Sequence, residues 1–317
     1  MIDKVAMVTI VGRPNVGKST LTNILTGDKI AIVSPKPQTT RNRVFGVFTY
    51  GRTQVILLDT PGFHKARTRL GDYMVKVVRE SIADVDLIAL IVEPVDNIGT
   101  QEEMLIEHIK LSGIPAVLVI NKIDTIKVEQ ILPVIERYAQ YYNFDAIVPA
   151  SAKTGDGTTQ LLEVINKYAK EGQQLFPDDM STDQPEKQII AEIIREKLLI
   201  CLEREIPHGT AVEITRFSER ITEGTQDIGH EAGNVSDEEY GDAIIDVDAT
   251  IYCEKKSHKA IIIGKNGAML KNVGQLARKD IERFMGAKVY MQTWVKVKEN
   301  WRNSKTMIKN FGYLRCI

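Results

Sequence analysis

Gly12-Arg13-Pro14-Asn15-Val16-Gly17-Lys18-Ser19-Thr20 follows the apolar run Val5 to Val11 and precedes the helical-looking Leu21 to Leu25. This is a G-x-x-x-x-G-K-[ST] loop between a strand and a helix, the setting in which that spacing cradles phosphate. Gly12 and Gly17 let the chain fold tightly enough for backbone N–H groups to surround a di- or triphosphate. A helix starting near Lys18 points its positive end at the same anions. Lys18 is placed to reach the β- and γ-phosphates, and Ser19 to hold Mg²⁺ through its hydroxyl, because a hard cation takes oxygen ligands.

Three further apolar runs end in polar motifs. Val55 to Leu58 leads into Asp59-Thr60-Pro61-Gly62, Ala116 to Ile120 into Asn121-Lys122-Ile123-Asp124, and Ala146 to Pro149 into Ala150-Ser151-Ala152-Lys153. Each motif stands at the carboxyl end of an expected buried strand, where open α/β sheets bind their ligands. Guanine presents two adjacent donors, N1–H and the 2-amino group, and the Asp124 carboxylate can accept both, whereas adenine has no such pair.

This ordered set resembles the GTP-binding domain of the translation-factor-related GTPases. The resemblance implies that Asn121 ties its loop to the base and to the phosphate loop and that Lys122 lays its stem over the purine. It also implies that Ser151, Ala152 and Lys153 form the loop whose Ala152 N–H meets the 6-oxo group. By the same resemblance Asp59 holds Mg²⁺ through a water, and the Gly62 N–H meets the γ-phosphate. The polar, proline-punctuated stretch Ile30 to Arg43 stands where a first switch loop belongs. Thr40, next to Arg41, is assigned as the Mg²⁺ ligand that senses the γ-phosphate, with Thr39 as the alternative; Phe63 to Gly71 is the second switch.

Ras-like enzymes carry a glutamine just after D-x-x-G to orient the attacking water, and this chain has Phe63 there, without donor or acceptor. Asn15 is the substitute that the resemblance offers: an asparagine at that place helps bind K⁺, which supplies the charge of a missing arginine finger. Lys18, Thr40, Asn15 and Gly62 are therefore the candidate catalytic set, with GTP or GDP, Mg²⁺ and K⁺ as the ligands.

The chain has 317 residues, enough for about two domains. It has no run of about 18 apolar residues to span a membrane, and the first strand starts so near Met1 that no signal peptide is expected. Cys201, Cys253 and Cys316 are scattered without metal-ligand spacing and read as reduced cytosolic thiols. Alternating strand and helix patterns close a nucleotide domain at residues 1–172, and the polar stretch 173–185, with Pro177 and Pro185, reads as a linker. A second domain follows over 186–317. Its helical stretch Glu186 to Glu203 turns Ile189, Ile193, Leu198 and Cys201 or Leu202 inward, and Gly209 to Phe217 alternates as a strand. Ser218 to Asp242 is acidic, with eight carboxylates against Arg220 alone, and reads as a solvated hairpin loop.

The formal net charge is −1, but it hides an asymmetry: Ala243 to Ile317 carries 15 Lys or Arg and 6 Asp or Glu. Expected strands at Ala243 to Tyr252 and Ala287 to Val297 enclose expected helices at Ser257 to Ile263 and Ala268 to Met285. Between the helices stands Gly264-Lys265-Asn266-Gly267, and this setting, in a basic α-β-β-α-α-β order, resembles a type II KH domain. In that module the two glycines let a nucleic-acid backbone cross the loop, clamping about four nucleotides. Lys265 would then meet phosphate, and Lys271, Arg278 and Lys279 would extend the basic surface, while Trp294 and Trp301 are expected in the core.

An α/β P-loop NTPase domain, with a mostly parallel sheet and helices on both faces, followed by an α+β KH domain resembles the Era family of GTPases over nearly the whole chain. That family's members bind small-subunit (16S) ribosomal RNA near its 3′ end and assist maturation of the 30S subunit. The resemblance implies a cytoplasmic, monomeric protein, with peripheral contact at the inner face of the cell membrane as a secondary property. The alternative is a regulatory GTP switch whose basic domain docks a protein partner or anionic membrane.

Overall fold

Residues 5–11 are apolar almost without interruption because the strand they form is covered on both sides. Ala6, Val8 and Ile10 pack with Leu21, Leu25, Leu161 and Ile165, while Val5 and Val11 point the other way, into a cluster with Leu105, Ile106, Ile109, Val134 and Tyr138. The structure, a computed structural model, describes residues 2–63, 68–203, 206–221 and 243–313. It divides into two units, Met1–Gln184 and Pro185–Ile317.

In chain order the first unit contains β1 (Lys4–Gly12), α1 (Lys18–Thr26), β2 (Val44–Tyr50), β3 (Thr53–Asp59), α2 (Arg69–Glu80), β4 (Leu87–Val92) and α3 (Thr100–Ser112). It continues with β5 (Ala116–Ile120), α4 (Ile131–Tyr141), β6 (Ala146–Pro149), α5 (Thr158–Lys167) and the short β7 (Lys170–Glu171). The sheet order is β2-β3-β1-β4-β5-β6, parallel except for the β2–β3 hairpin, with β7 antiparallel to β1. β1 lies where the chain order reverses, between β3 and β4, so its carboxyl end opens at a topological switch point.

Part of the stretch read as a linker is packed on this unit. The Val47 N–H of edge strand β2 donates to Ser181 O at 2.8 Å. Buried Gln54 on β3 donates to Phe176 O at 2.8 Å and accepts from Leu175 N–H and Phe176 N–H at 2.8 and 3.0 Å. A buried amide satisfied on both sides holds the segment down, and Ser181 takes one of the outward N–H groups of the β2 edge.

The second unit contains α6 (Glu186–Cys201), β8 (Ala211–Ile221), β9 (Ala243–Cys253), α7 (Lys256–Ile263), α8 (Ala268–Met285), β10 (Lys288–Val297) and α9 (Lys305–Asn310). β9 is central, antiparallel to β8 and parallel to β10. Alternate β9 residues Ile245, Val247, Ala249, Ile251 and Cys253 enter the core, and α8 buries Val273, Ala277 and Ile281 at spacing four. Leu202, the residue that caps α6, completes the apolar face; Cys201 is half-buried. Cys316 lies outside the described residues.

Two expectations change here. Ser218 to Ile221 belong to β8 rather than to the acidic loop, because pairing with β9 runs on to Ile221 opposite Ala243 and Arg220 holds Asp246. The rest of that stretch, 222–242, lies outside the described residues. Trp301 is in the core, its indole N–H donated to Gly209 O at 2.9 Å, but Trp294 is 43% exposed. It falls on the alternate residues of β10 that face away from the helices.

Candidate nucleotide and nucleic-acid sites

At the end of β1 the chain turns through Asn15 and Gly17, both left-handed at φ 67° and 98°, and enters α1 at Lys18. Gly17 has no alternative: a Cβ there would lie 2.2 Å from Asn121 Nδ2. Lys18 is buried, and its ammonium donates to Gly12 O at 3.2 Å and Arg13 O at 2.9 Å, arching over the loop it serves. Burial pushes the Lys18 ammonium down to about 8 against the pull of Asp59, and burial pushes the Asp59 carboxyl up to about 6 despite Lys18 and the Ser19 hydroxyl.

Ser19, Thr40 and Asp59 converge. Ser19 Oγ donates to Asp59 Oδ2 at 2.7 Å and lies 2.8 Å from Thr40 Oγ1. Thr39 turns elsewhere, its hydroxyl donated to Lys36 O within its own loop at 2.7 Å, so the geometry singles out Thr40 of the two. Asp59 Oδ1 is buried without a hydrogen-bond partner, and a buried oxygen of that kind calls for one. Two hydroxyls and a carboxylate are the hard oxygen donors Mg²⁺ takes beside phosphate, so the residues fit that ion. A cavity of 470 Å³ adjoins them, lined among others by Asn15, Lys18, Ser19, Thr40 and Gly62.

Gly62 packs on the phosphate loop so closely that a Cβ would lie 2.7 Å from Pro14 Cα. The Thr60 hydroxyl donates to Ile10 O, and Phe63 N–H donates to Gly12 O at 3.1 Å. The Phe63 ring is buried and edge-on to His108, with centroids 6.1 Å apart, so it brings no polar atom to the site. Residues 64–67 of the expected second switch lie outside the described residues.

On the base side, Asn121 donates from Nδ2 to Val16 O at 2.7 Å and accepts at Oδ1 from Ala152 N–H at 2.8 Å, joining the phosphate loop to the Ser151–Lys153 loop. In this structure the Ala152 N–H, which the resemblance sets against the 6-oxo group, is donated to Asn121 Oδ1. Lys122, left-handed at φ 67°, donates to Asn15 O and to Glu93. Asp124 is oriented by the Ser151 hydroxyl, donated to Oδ1 at 2.7 Å.

Arg13 shows what the sequence left unread. Its Nε donates to Glu102 Oε1 at 2.8 Å and its guanidinium reaches Glu93 at 3.7 Å, so of the phosphate loop it is the backbone, not this cation, that is offered to a ligand. Glu102 is fully buried and also accepts from Gly99 N–H at 2.7 Å, capping α3. The Gly99-x-x-Glu102 spacing before an apolar run is the signal that marks it.

In the second unit Gly264 (φ 73°), Asn266 (φ 52°) and Gly267 (φ 77°) make the turn between α7 and α8, and a Cβ on Gly264 would lie 2.7 Å from Met269 Cβ. Lys265 and Asn266 are exposed at its tip. Beside it runs a groove of 440 Å³ between α8 and β10, lined by Gly267, Leu270, Lys271, Gln275, Arg278 and Met291 among others. Lys271 and Arg278 thus reach the groove, whereas Lys279 is exposed outside its lining. Gln275 and Met291 were not anticipated; their helical and strand spacings relative to Lys271 and Arg278 carry the signal only once α8 and β10 are paired. Among the described residues no group of three or more His, Cys, Asp or Glu could hold a metal.

A phosphate-loop domain with a guanine-type Asn121–Asp124 motif, followed by an α-β-β-α-α-β unit with a G-K-N-G turn, defines a GTPase with a carboxyl-terminal KH domain. Family models agree: one described as 50S ribosome-binding GTPase matches residues 7–122, and one described as KH domain matches 205–302. GTPase Era of Ruminiclostridium cellulolyticum is 48% identical over 98% of this chain and 97% of its own, and that of Clostridioides difficile is 48% identical over 98% of each. The chain belongs to the GTPase Era family. A crystal structure of Era with MgGDPNP and nucleotides 1506–1542 of 16S ribosomal RNA matches it with TM-score 0.88 and 36% identity, covering 98% of this chain and 99% of that one. An Aquifex aeolicus Era variant bound to GDP and AlF4− matches with TM-score 0.87, at the same identity and coverage.

Proposed function

We propose that this chain binds and hydrolyses GTP with Mg²⁺ and binds 16S ribosomal RNA near its 3′ end, assisting maturation of the 30S subunit in the cytoplasm. The observation that carries the reading is the convergence of Ser19, Thr40 and Asp59 beside buried Lys18, in a chain that also bears the G-K-N-G groove. Lys18 would neutralise the β- and γ-phosphates, Asp124 would accept the two guanine donors, and Thr40 would register the γ-phosphate and carry its presence into the 30–43 loop. Mg²⁺, when bound, supplies charge neutralisation on the phosphate oxygens.

Phe63 cannot orient water and Arg13 is held by Glu102, so the missing positive charge has to come from elsewhere. Asn15 favours K⁺: its nitrogen is donated to Pro35 O at 2.9 Å, and Oδ1 is the atom it has to offer a cation. The description of the first family model names the 50S subunit, but it covers only the nucleotide domain; the KH groove and the 16S segment bound by the Era relative favour the small subunit.

Filter binding of a 3′-terminal 16S segment, with GDPNP or GDP, tests the reading. Retention that depends on the RNA sequence is expected; equal retention of any single strand would leave the basic unit as a general docking surface. Anionic lipid vesicles in place of RNA test peripheral membrane contact. No helix among the described residues is long and apolar enough to cross a membrane.

A further inference from the structure

β10 has two working faces. Met291 and Thr293 look toward α8 and line the groove, whereas Lys288, Tyr290, Gln292, Trp294 and Lys296 alternate with them and are all exposed on the opposite face. Tyr290 is 54% and Trp294 43% exposed, and Gln292 Nε2 donates to Tyr290 Oη at 2.8 Å. Two large rings thus stand about 13 Å apart along the strand, with a lysine beyond each. Across the sheet, Tyr290 lies opposite Asp246 and Gln292 opposite Asp248. Asp246 is held by Arg216 and Arg220, at 3.4 and 2.8 Å. β10 is also the edge of its sheet.

We propose that this outer face of β10 is a second RNA-contact surface, on which bases of the strand leaving the G-K-N-G groove stack against Tyr290 and Trp294 while Lys288 and Lys296 meet its phosphates. Aromatic rings interleaved with cations are the chemistry of single-strand binding, tolerant of sequence because every base has a π face. Because β10 is the sheet edge, a strand leaving the groove reaches this face by passing round that edge. A KH loop clamps about four nucleotides, whereas the RNA bound by the Era relative runs from nucleotide 1506 to 1542, well beyond the reach of one such clamp. A protein strand added to the β10 edge would use backbone groups and have no need of the rings or lysines. The proposal rests on the KH groove binding RNA.

Trp301 is fully buried, so the fluorescence that responds to a quencher or a stacked base is that of Trp294. The experiment titrates full-length protein with two RNAs, the segment matching nucleotides 1506–1542 and single strands of about six nucleotides, just over what the loop clamps. The long RNA should quench Trp294, and at least one short strand should bind without quenching. Tyr290→Ala and Trp294→Ala should each weaken the long RNA about tenfold and leave the short strand unchanged. Lys265→Asp should weaken both, which separates the groove from the stripe. Normal binding of both RNAs with Trp294 unquenched overturns the proposal alone. Equal losses for both RNAs in the stripe variants also overturn it, by making the stripe a support for the groove. Quenching by 30S subunits but not by naked RNA would assign the face to another part of the subunit and overturn it. Failure of the unsubstituted protein to bind either RNA would overturn the KH reading and this proposal together.

Discussion

Arg13 and Glu102 meet at 2.8 Å across 89 residues of chain, and only one of the two is out of water: the Glu102 side chain is 0% exposed and that of Arg13 is 29%. The pair fastens the phosphate loop to the start of α3. Its two halves are therefore not equivalent. Arg13→Ala strands a carboxylate in the interior, with Gly99 N–H still donating to it, whereas Glu102→Gln leaves an arginine that can still reach solvent and Glu93. Loss of one partner from a buried pair costs about 3–5 kcal/mol. Arg13→Ala should cost about 3 kcal/mol, the low end of that range because Arg13 itself is partly exposed, and Glu102→Gln about 1 kcal/mol. Urea unfolding of both variants checks this, and a larger loss for Glu102→Gln would refute the asymmetry.

Nucleotide choice should rest on Asp124, which Ser151 orients through Oδ1. Asp124→Asn exchanges a double acceptor for one acceptor and one donor, which faces guanine's donors badly and suits the extra oxo group of xanthine. GTP affinity should drop by as much as about 10⁴-fold, the scale on which a hydrogen-bonding site rejects a mismatched partner, and XTP should bind better. Competition between labelled GDP and XDP measures it; unchanged GTP affinity removes Asp124 from that role.

Much of this site is legible in the sequence because its motifs sit at strand ends, and buried parallel strands announce themselves as apolar runs. Ala116–Ile120 and Ala146–Pro149 are strands over the very residues their composition marks. Contacts between motifs are not legible in the same way. That Asn121 takes the Ala152 N–H, or that Glu102 takes Arg13, depends on which loops the sheet order brings together, and no local pattern encodes it. Trp294 is a different failure. An aromatic residue on a strand is expected inside, and what puts it outside is its phase relative to Val289 and Val295, two buried residues of the same strand.

Turnover should depend on the monovalent cation if Asn15 holds K⁺. Exchange of Na⁺ for K⁺ at constant ionic strength should raise GTP hydrolysis at least about tenfold, a small part of the roughly 10³–10⁵ that an arginine finger supplies. Asn15→Ala should abolish the difference and still bind GDP. Because that change also removes the bond to Pro35 O, Asn15→Asp, which keeps an oxygen but not the donor, is the control. It should retain the K⁺ effect, and equal rates in both salts for the unsubstituted protein would end the proposal.

The two units should fail separately. Lys265→Asp with Asn266→Asp puts two negative charges at the exposed tip of the turn while Gly264 and Gly267 keep their left-handed backbone. Asn266 itself sits at φ 52°, a conformation that aspartate tolerates nearly as well as asparagine, so the turn should keep its shape. RNA affinity should fall by about 2–4 kcal/mol, as favourable phosphate contacts become repulsive. The gap from the unsubstituted protein should narrow at higher salt, where the attraction in one and the repulsion in the other are both screened. Lys18 lies in the other unit, so GDP affinity of the free protein should not move. Filter binding for RNA and fluorescence of a labelled GDP for the nucleotide read the two sites independently. Intact RNA binding with collapsed nucleotide binding would make the G-K-N-G turn a support for the first unit and end the KH reading.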